Sequence, residues 1–243
     1  MIKGMYTSAS GMLPRVKKIE LTAHNVANAG TVGYKRQVLF SRELARAERK
    51  VLNTQADWEK PTATETFTDF AAGTFDMTGN PLDLAIDGDG FFSLELPDGS
   101  TVLTRAGMFT VNDGGFLAFP GGALVLGEGG PIEVGNGKVT VSQNGEVEVN
   151  GTVVGRITPV TVENPDSLIQ IGNSLYALPQ GAQLRPVTGA TIRQGYLETA
   201  NVDVIGEMIE MMVSFRAYEA NARALQTQDR SLENLFTRVG GEG

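Results

Sequence analysis

Two apolar stripes at heptad spacing stand at opposite ends of this 243-residue chain, and their unequal lengths constrain its fold. Near the start, Met5, Ala9, Met12, Val16, Ile19, Ala23 and Val26 follow one another at alternating intervals of four and three. Near the end, Val204, Met208, Met211, Phe215, Tyr218, Ala222, Leu225, Asp229, Leu232, Phe236 and Val239 keep the same rhythm. Such spacing places side chains on one helix face and matches a coiled-coil seam. At 1.5 Å per residue the first stripe spans at most roughly 36 Å and the second roughly 54 Å. A chain that leaves along one helix and returns along another pairs them as an antiparallel hairpin. The longer helix then has surplus apolar surface, widened by Ile205, Ile209, Met212 and Val213, that must find another molecule.

Pro14 interrupts the first stripe, so that helix either kinks there or begins with Pro14 in its first turn. The helix ends in HNVANAGTVGYK, where Asn28, Ala29 and Gly30 provide a stop because Asn and Gly adopt positive φ most cheaply. Asn25 and Asn28, three apart, read as helix-end hydrogen bonders, with contact to a neighbouring subunit as the alternative. From Val38 to about Glu59 the chain is charged and sparsely apolar, fitting either helix or extended chain.

The middle changes to period two. Leu82, Leu84 and Ile86 alternate with Asp83, Ala85 and Asp87, and Phe92, Leu94 and Leu96 continue the pattern. Pro97–Ser100, Asn112–Gly115, Asn136-Gly137, Asn144-Gly145 and Asn150-Gly151 supply turns suited to antiparallel hairpins. The reading is an α+β chain, with terminal helices forming an antiparallel coiled-coil hairpin around a central antiparallel all-β domain. Its expected divisions are residues 1–35 (N-terminal helix and helix-end motif), 36–75 (arm), 76–198 (β domain) and 199–243 (C-terminal helix).

Composition excludes several function classes. A net charge of -8 disfavours nucleic-acid or anionic-membrane binding, which needs excess Lys and Arg. The absence of cysteine removes disulfides and thiolate metal sites. No run approaches a membrane span, and the N-terminus lacks the apolar core of a cleaved signal. His24 is the sole histidine, so a Ser-His-Asp triad or His metal cluster is not expected, and His24 reads as a helix-end polar group. Asp83, Asp87 and Asp89 lack EF-hand spacing and read as strand and turn residues. GEGGP is not followed by Lys-Ser or Lys-Thr, so turn formation explains it better than nucleotide binding. No catalytic, cofactor-binding or metal residues are assigned.

SASGM, AHNVANAGTVGYK, TGNPLDLAIDGDGFF, TRAGMFTVNDGGFL, GYLETANVDVIGEM and RAYEANARALQTQDRSLENL occur in this order. Together they resemble the flagellar basal-body rod proteins of bacteria, over both ends and the front half of the β region. The resemblance implies a structural subunit whose terminal helices pack into the inner tube of the axis, with the β domain outward. It also implies partners among its own copies and other rod proteins, and export through the flagellar type III apparatus without signal cleavage. Compact length, MLPR and VLFSRELARAERK look most like a proximal rod component, with the distal rod protein as close rival and a hook-type axial protein as a further alternative. The expected assembly interface comprises Met5, Met12, Val16, Ile19, Asn25, Asn28, Met208, Met211, Met212, Phe215, Tyr218, Leu225, Asp229, Leu232 and Phe236. Asp229, the polar member of its stripe, reads as a solvated end or as an ion-pair partner that fixes register. The competing reading is a secreted β-domain enzyme or binding module on a helical stalk.

Overall fold

The first stripe forms one helix, α1 (Ile2–Ala27), which passes through Pro14 rather than starting there. Pro14 removes the hydrogen bond to the carbonyl four residues back and crowds that carbonyl, and the rest of the 26-residue helix carries the cost. The second stripe forms a 37-residue helix, α2 (Val204–Gly240). Asp203 caps it, its Oδ1 accepting from the Ile205 N–H at 3.2 Å and its carbonyl from the Glu207 N–H at 2.9 Å. The computed structural model describes residues 2–42 and 63–240, and the chain is mainly β with one long helix near each end, an α+β composition.

Two compact units divide the chain. The helical unit holds Met1–Ala27, Gln37–Asp69 and Asp203–Gly243; the β unit holds Asn28–Arg36 and Phe70–Val202. The helix-end segment 28–36, expected to belong with the helices, is therefore built into the β unit. In the helical unit α1 packs on α2. Lys18 pairs with Glu210 at 2.5 Å, and Asn221 lies 3.4 Å from where a Cβ on Gly11 would stand. Residue numbers fall along α1 as they rise along α2, so the helices run antiparallel.

The faces withdrawn from solvent differ from the expected seams. On α2 they include Glu207, Met211, Ser214, Tyr218, Asn221, Ala222, Leu225 and Gln228, of which Met211, Tyr218, Ala222 and Leu225 belong to the apolar stripe. On α1, Leu21, Thr22 and Asn25 are buried, whereas Val16 and Ala23 are exposed. Apolar periodicity marks a face that avoids water, but small and polar residues such as Gly11, Thr22 and Ser214 allow the closer backbone approach that the intrachain contact uses. The ends of the arm are extended: β1 (Gln37–Arg42) pairs antiparallel with β2 (Ala63–Thr68), from Gln37 opposite Thr68 to Arg42 opposite Ala63. The arm's central residues, including Trp58, lie outside the described residues.

In the β unit every paired strand is antiparallel. It includes β3 (Phe75–Met77), β4 (Leu84–Asp87), β5 (Phe92–Glu95) and β6 (Thr101–Thr104). The main sheet runs from Ile169–Gly172 through Leu175–Ala177, β6, β5 and Leu124–Gly127 to Leu117–Ala118 and Thr110–Val111. A three-stranded sheet joins Val139–Val141, Glu146–Val149 and Thr152–Arg156. Its last hairpin turns at Asn150-Gly151, where φ values of 52 and 84 suit the mirror-image turn that Asn-Gly favours. Thr191–Gln194 pairs with β4, and Tyr196–Glu198 pairs with β3. The expected alternation has a limit: Leu84-Ala85-Ile86 and Phe92-Ser93-Leu94 are buried at every position, so these strands are covered on both faces. Phe92 meets Phe109 edge-to-face at 5.2 Å inside a core that also holds Leu94, Val125, Val147 and Ile192.

Candidate assembly surface

The first third of α2 carries its large apolar side chains outward. Ile205, Met208, Ile209, Met212, Val213 and Phe215 are each more than half exposed, Ile205 at 73%. At about 100° per residue they share one side of the helix, roughly opposite the side bearing Glu207, Ser214 and Asn221. Leu13 is also exposed on α1. Of the expected interface residues, Met208, Met212, Phe215 and Asp229 are exposed, and Met12, Ile19, Met211, Tyr218 and Leu225 half-buried. The side chains of Met5, Leu232 and Phe236 lie outside the described residues.

The two asparagines have local partners. Asn25 is buried and brackets one backbone position of the arm, its Nδ2 donating to the Gln37 carbonyl and its Oδ1 accepting from the Gln37 N–H, both at 2.9 Å. Asn28 closes the turn after α1, its carbonyl accepting from the Thr31 N–H at 2.9 Å and its Oδ1 from the Thr31 hydroxyl at 3.3 Å. His24 is exposed near the helix end.

The Gly-Tyr-Lys that follows is buried. Gly33 has φ +64, and a Cβ there would stand 2.3 Å from the Ala106 nitrogen, so neither backbone nor space admits a larger residue. Lys35 and Glu198 are both 0% exposed and pair at 2.5 Å. The Lys35 ammonium also donates to the Ala71 carbonyl at 2.7 Å, and Glu198 Oε1 accepts from the Gly73 N–H at 2.9 Å. Glu198 Oε2 lies 3.4 Å from Arg105 Nη1, and Arg105 donates to the Ile86 and Gly88 carbonyls at 3.3 and 2.9 Å. Burial pulls the Arg105 guanidinium below its ordinary value, opposed by the carboxylates of Glu198 and Asp89. Sequence reasoning missed this cluster. Its available signal was a Lys and a Glu set among strand-forming residues in GYK and GYLET, 163 positions apart.

The aspartates have structural partners as well: Asp83 accepts from Thr78 at 2.6 Å and Asn80 at 3.0 Å, while Asp87 pairs with Arg193 at 2.5 Å. Among the described residues no helix is long and apolar enough to cross a membrane.

A β unit that pairs its buried Lys35, Glu198 and Arg105 with one another, together with a helical unit that displays its apolar side chains, fits a structural subunit. The family profile "Flagellar hook protein FlgE/F/G D1 domain" matches residues 85–149, and "Flagellar basal body rod FlgEFG protein C-terminal" matches 193–237. The flagellar basal-body rod protein FlgG of Caulobacter vibrioides is 32% identical over 257 residues, covering 96% of this chain and 97% of its own length. FlgG of Borreliella burgdorferi is 31% identical over 258 residues, covering 96% and 97%. FlgF of Caulobacter vibrioides is 32% identical over 243 residues, covering 99% of each chain. The chain belongs to the flagellar basal-body rod protein family. It is a structural, axial component of the flagellum at the basal body, and not an enzyme.

Proposed function

We propose that this chain is a proximal rod subunit of the FlgF kind, which assembles with its own copies and with other rod proteins into the shaft that transmits motor torque. The observation that carries the reading is the exposed apolar side of α2 from Ile205 to Phe215. Burying six such half-exposed side chains contributes on the order of 5–10 kcal/mol per copy, comparable with the cost of association. The outer side of α2, together with Leu13 and Val16, receives neighbours. Met5, Leu232 and Phe236 extend that interface, and Asp229 sets register by pairing with a neighbour's Arg or Lys. The chain reaches the rod through the flagellar type III apparatus.

Length favours FlgF over FlgG. The FlgF alignment closes in 243 columns, whereas the FlgG alignments need 257 and 258. The distal rod is the second reading, favoured by FlgG identities of similar size. Incorporation into purified basal bodies tests the assembly face: Met208→Glu with Met212→Glu reduces it at least about tenfold, because burying a charge costs more than each methionine contributes. Undiminished incorporation refutes the interface. Electron microscopy of labelled basal bodies separates the two rod positions, and label at the distal end replaces the proximal assignment.

A further inference from the structure

The chain passes between the helical and β units at four places, after Ala27, Arg36, Asp69 and Val202. Beside three of these, within the β unit, the chain converges on one carboxylate. Glu198 binds the Lys35 ammonium and the Gly73 N–H, and its own carbonyl accepts from the Gly33 N–H at 2.8 Å. Four residues before the last passage, it is thus bound to the segments that follow α1 and β2. Asn201 repeats the pattern one step outward: its Oδ1 accepts from the Arg36 N–H at 2.7 Å and its Nδ2 donates to the Ala71 carbonyl at 3.0 Å. The Thr199 N–H donates to the Thr74 carbonyl at 2.8 Å. Residues 33–36, 71–74 and 198–201 are knitted into one patch.

We infer that Glu198 is a positioning residue: a single buried carboxylate that binds three roots of the helical unit together, so that they loosen as one piece and not one at a time. Charge explains why Glu198, rather than any neutral neighbour, holds this role. Lys35 and Arg105 are two buried cations facing the same carboxylate, and removing it leaves both without that counter-charge. Removing Lys35 instead leaves Glu198 with Arg105 and Gly73. The clasp is a property of the single chain, so it stands or falls apart from the rod assignment.

Hydrogen exchange of the full-length, unassembled protein, read by mass spectrometry, tests it in Glu198→Gln, Lys35→Met and the double variant. In Glu198→Gln, exchange rises about a hundredfold in 28–36, 70–77 and 196–202 together, while the sheet spanning 139–156 keeps its protection. Lys35→Met raises the same three segments by a smaller factor, and the double variant falls short of the product of the singles because the two residues share one interaction. Loosening confined to the substituted segment overturns the inference. Where Glu198→Gln unfolds the whole β unit, Lys35→Met decides. Coordinated opening of the three segments in that variant supports the clasp, and global loss of protection there reduces the cluster to ordinary core.

Discussion

The two units of this chain solve opposite problems. The β unit buries Phe92, Leu94, Val125 and Val147 completely, and encloses its Lys35, Glu198 and Arg105 with mutual partners. The helical unit buries Thr22, Asn25, Glu207 and Ser214, and turns Leu13, Ile205, Ile209 and Met212 toward water. A domain that closes on itself puts its largest apolar side chains inside, because each contributes about 1.5–3 kcal/mol there. Inversion of that rule along one side of α2 is the observation on which the proposed assembly face rests.

Paired truncations sharpen this contrast most strongly. Phe92→Ala lowers β-unit stability by about 3–5 kcal/mol in urea unfolding, since it empties a fully enclosed site. Met212→Ala in the same unassembled chain shifts stability by less than about 0.5 kcal/mol, as a surface change should. Equal losses would abolish the distinction. Gly33→Ala probes the helix-end segment now assigned to the β unit. Positive φ and the clash with Ala106 together cost about 2–3 kcal/mol, visible as a lower urea midpoint for the β unit. An unchanged midpoint would separate that segment from the β core.

A further effect appears in alkali. Burial first, and then neighbouring Tyr34, pushes the Tyr176 phenol above its ordinary value of 10.0. The folded form holds this proton more tightly than the unfolded chain does. Stability from that difference is therefore complete below pH 10 and declines as pH rises above it. Tyr176→Phe removes this slope, so wild type loses urea resistance above pH 10 faster than the variant. Parallel declines would exclude Tyr176 as a contributor.

Much of the architecture was legible in residue order. Heptad spacing located both helices, and the turn dipeptides located hairpins such as the one at Asn150-Gly151. The path through Pro14 was not legible, because a proline is tolerated or rejected according to the packing of the whole helix. Nor was the contact face of α2, where the sequence favoured Met208 and Phe215 but the fold withdrew Glu207 and Ser214. Periodicity reports which side is greasy, without reporting which molecule covers it. Glu198 was invisible for a different reason: a charged residue is read as solvated unless its counter-ion is near in sequence, and Lys35 is 163 positions away.

By itself the sequence determined two helical ends, an antiparallel β middle and a family resemblance, since each is written in local spacing and motif order. Only tertiary structure decided that Gly-Tyr-Lys plugs into the β unit, and that the helices meet along their more polar sides. Both outcomes depend on partners brought together by folding, where the cost of burying a charge or leaving a side chain wet is set by distant residues.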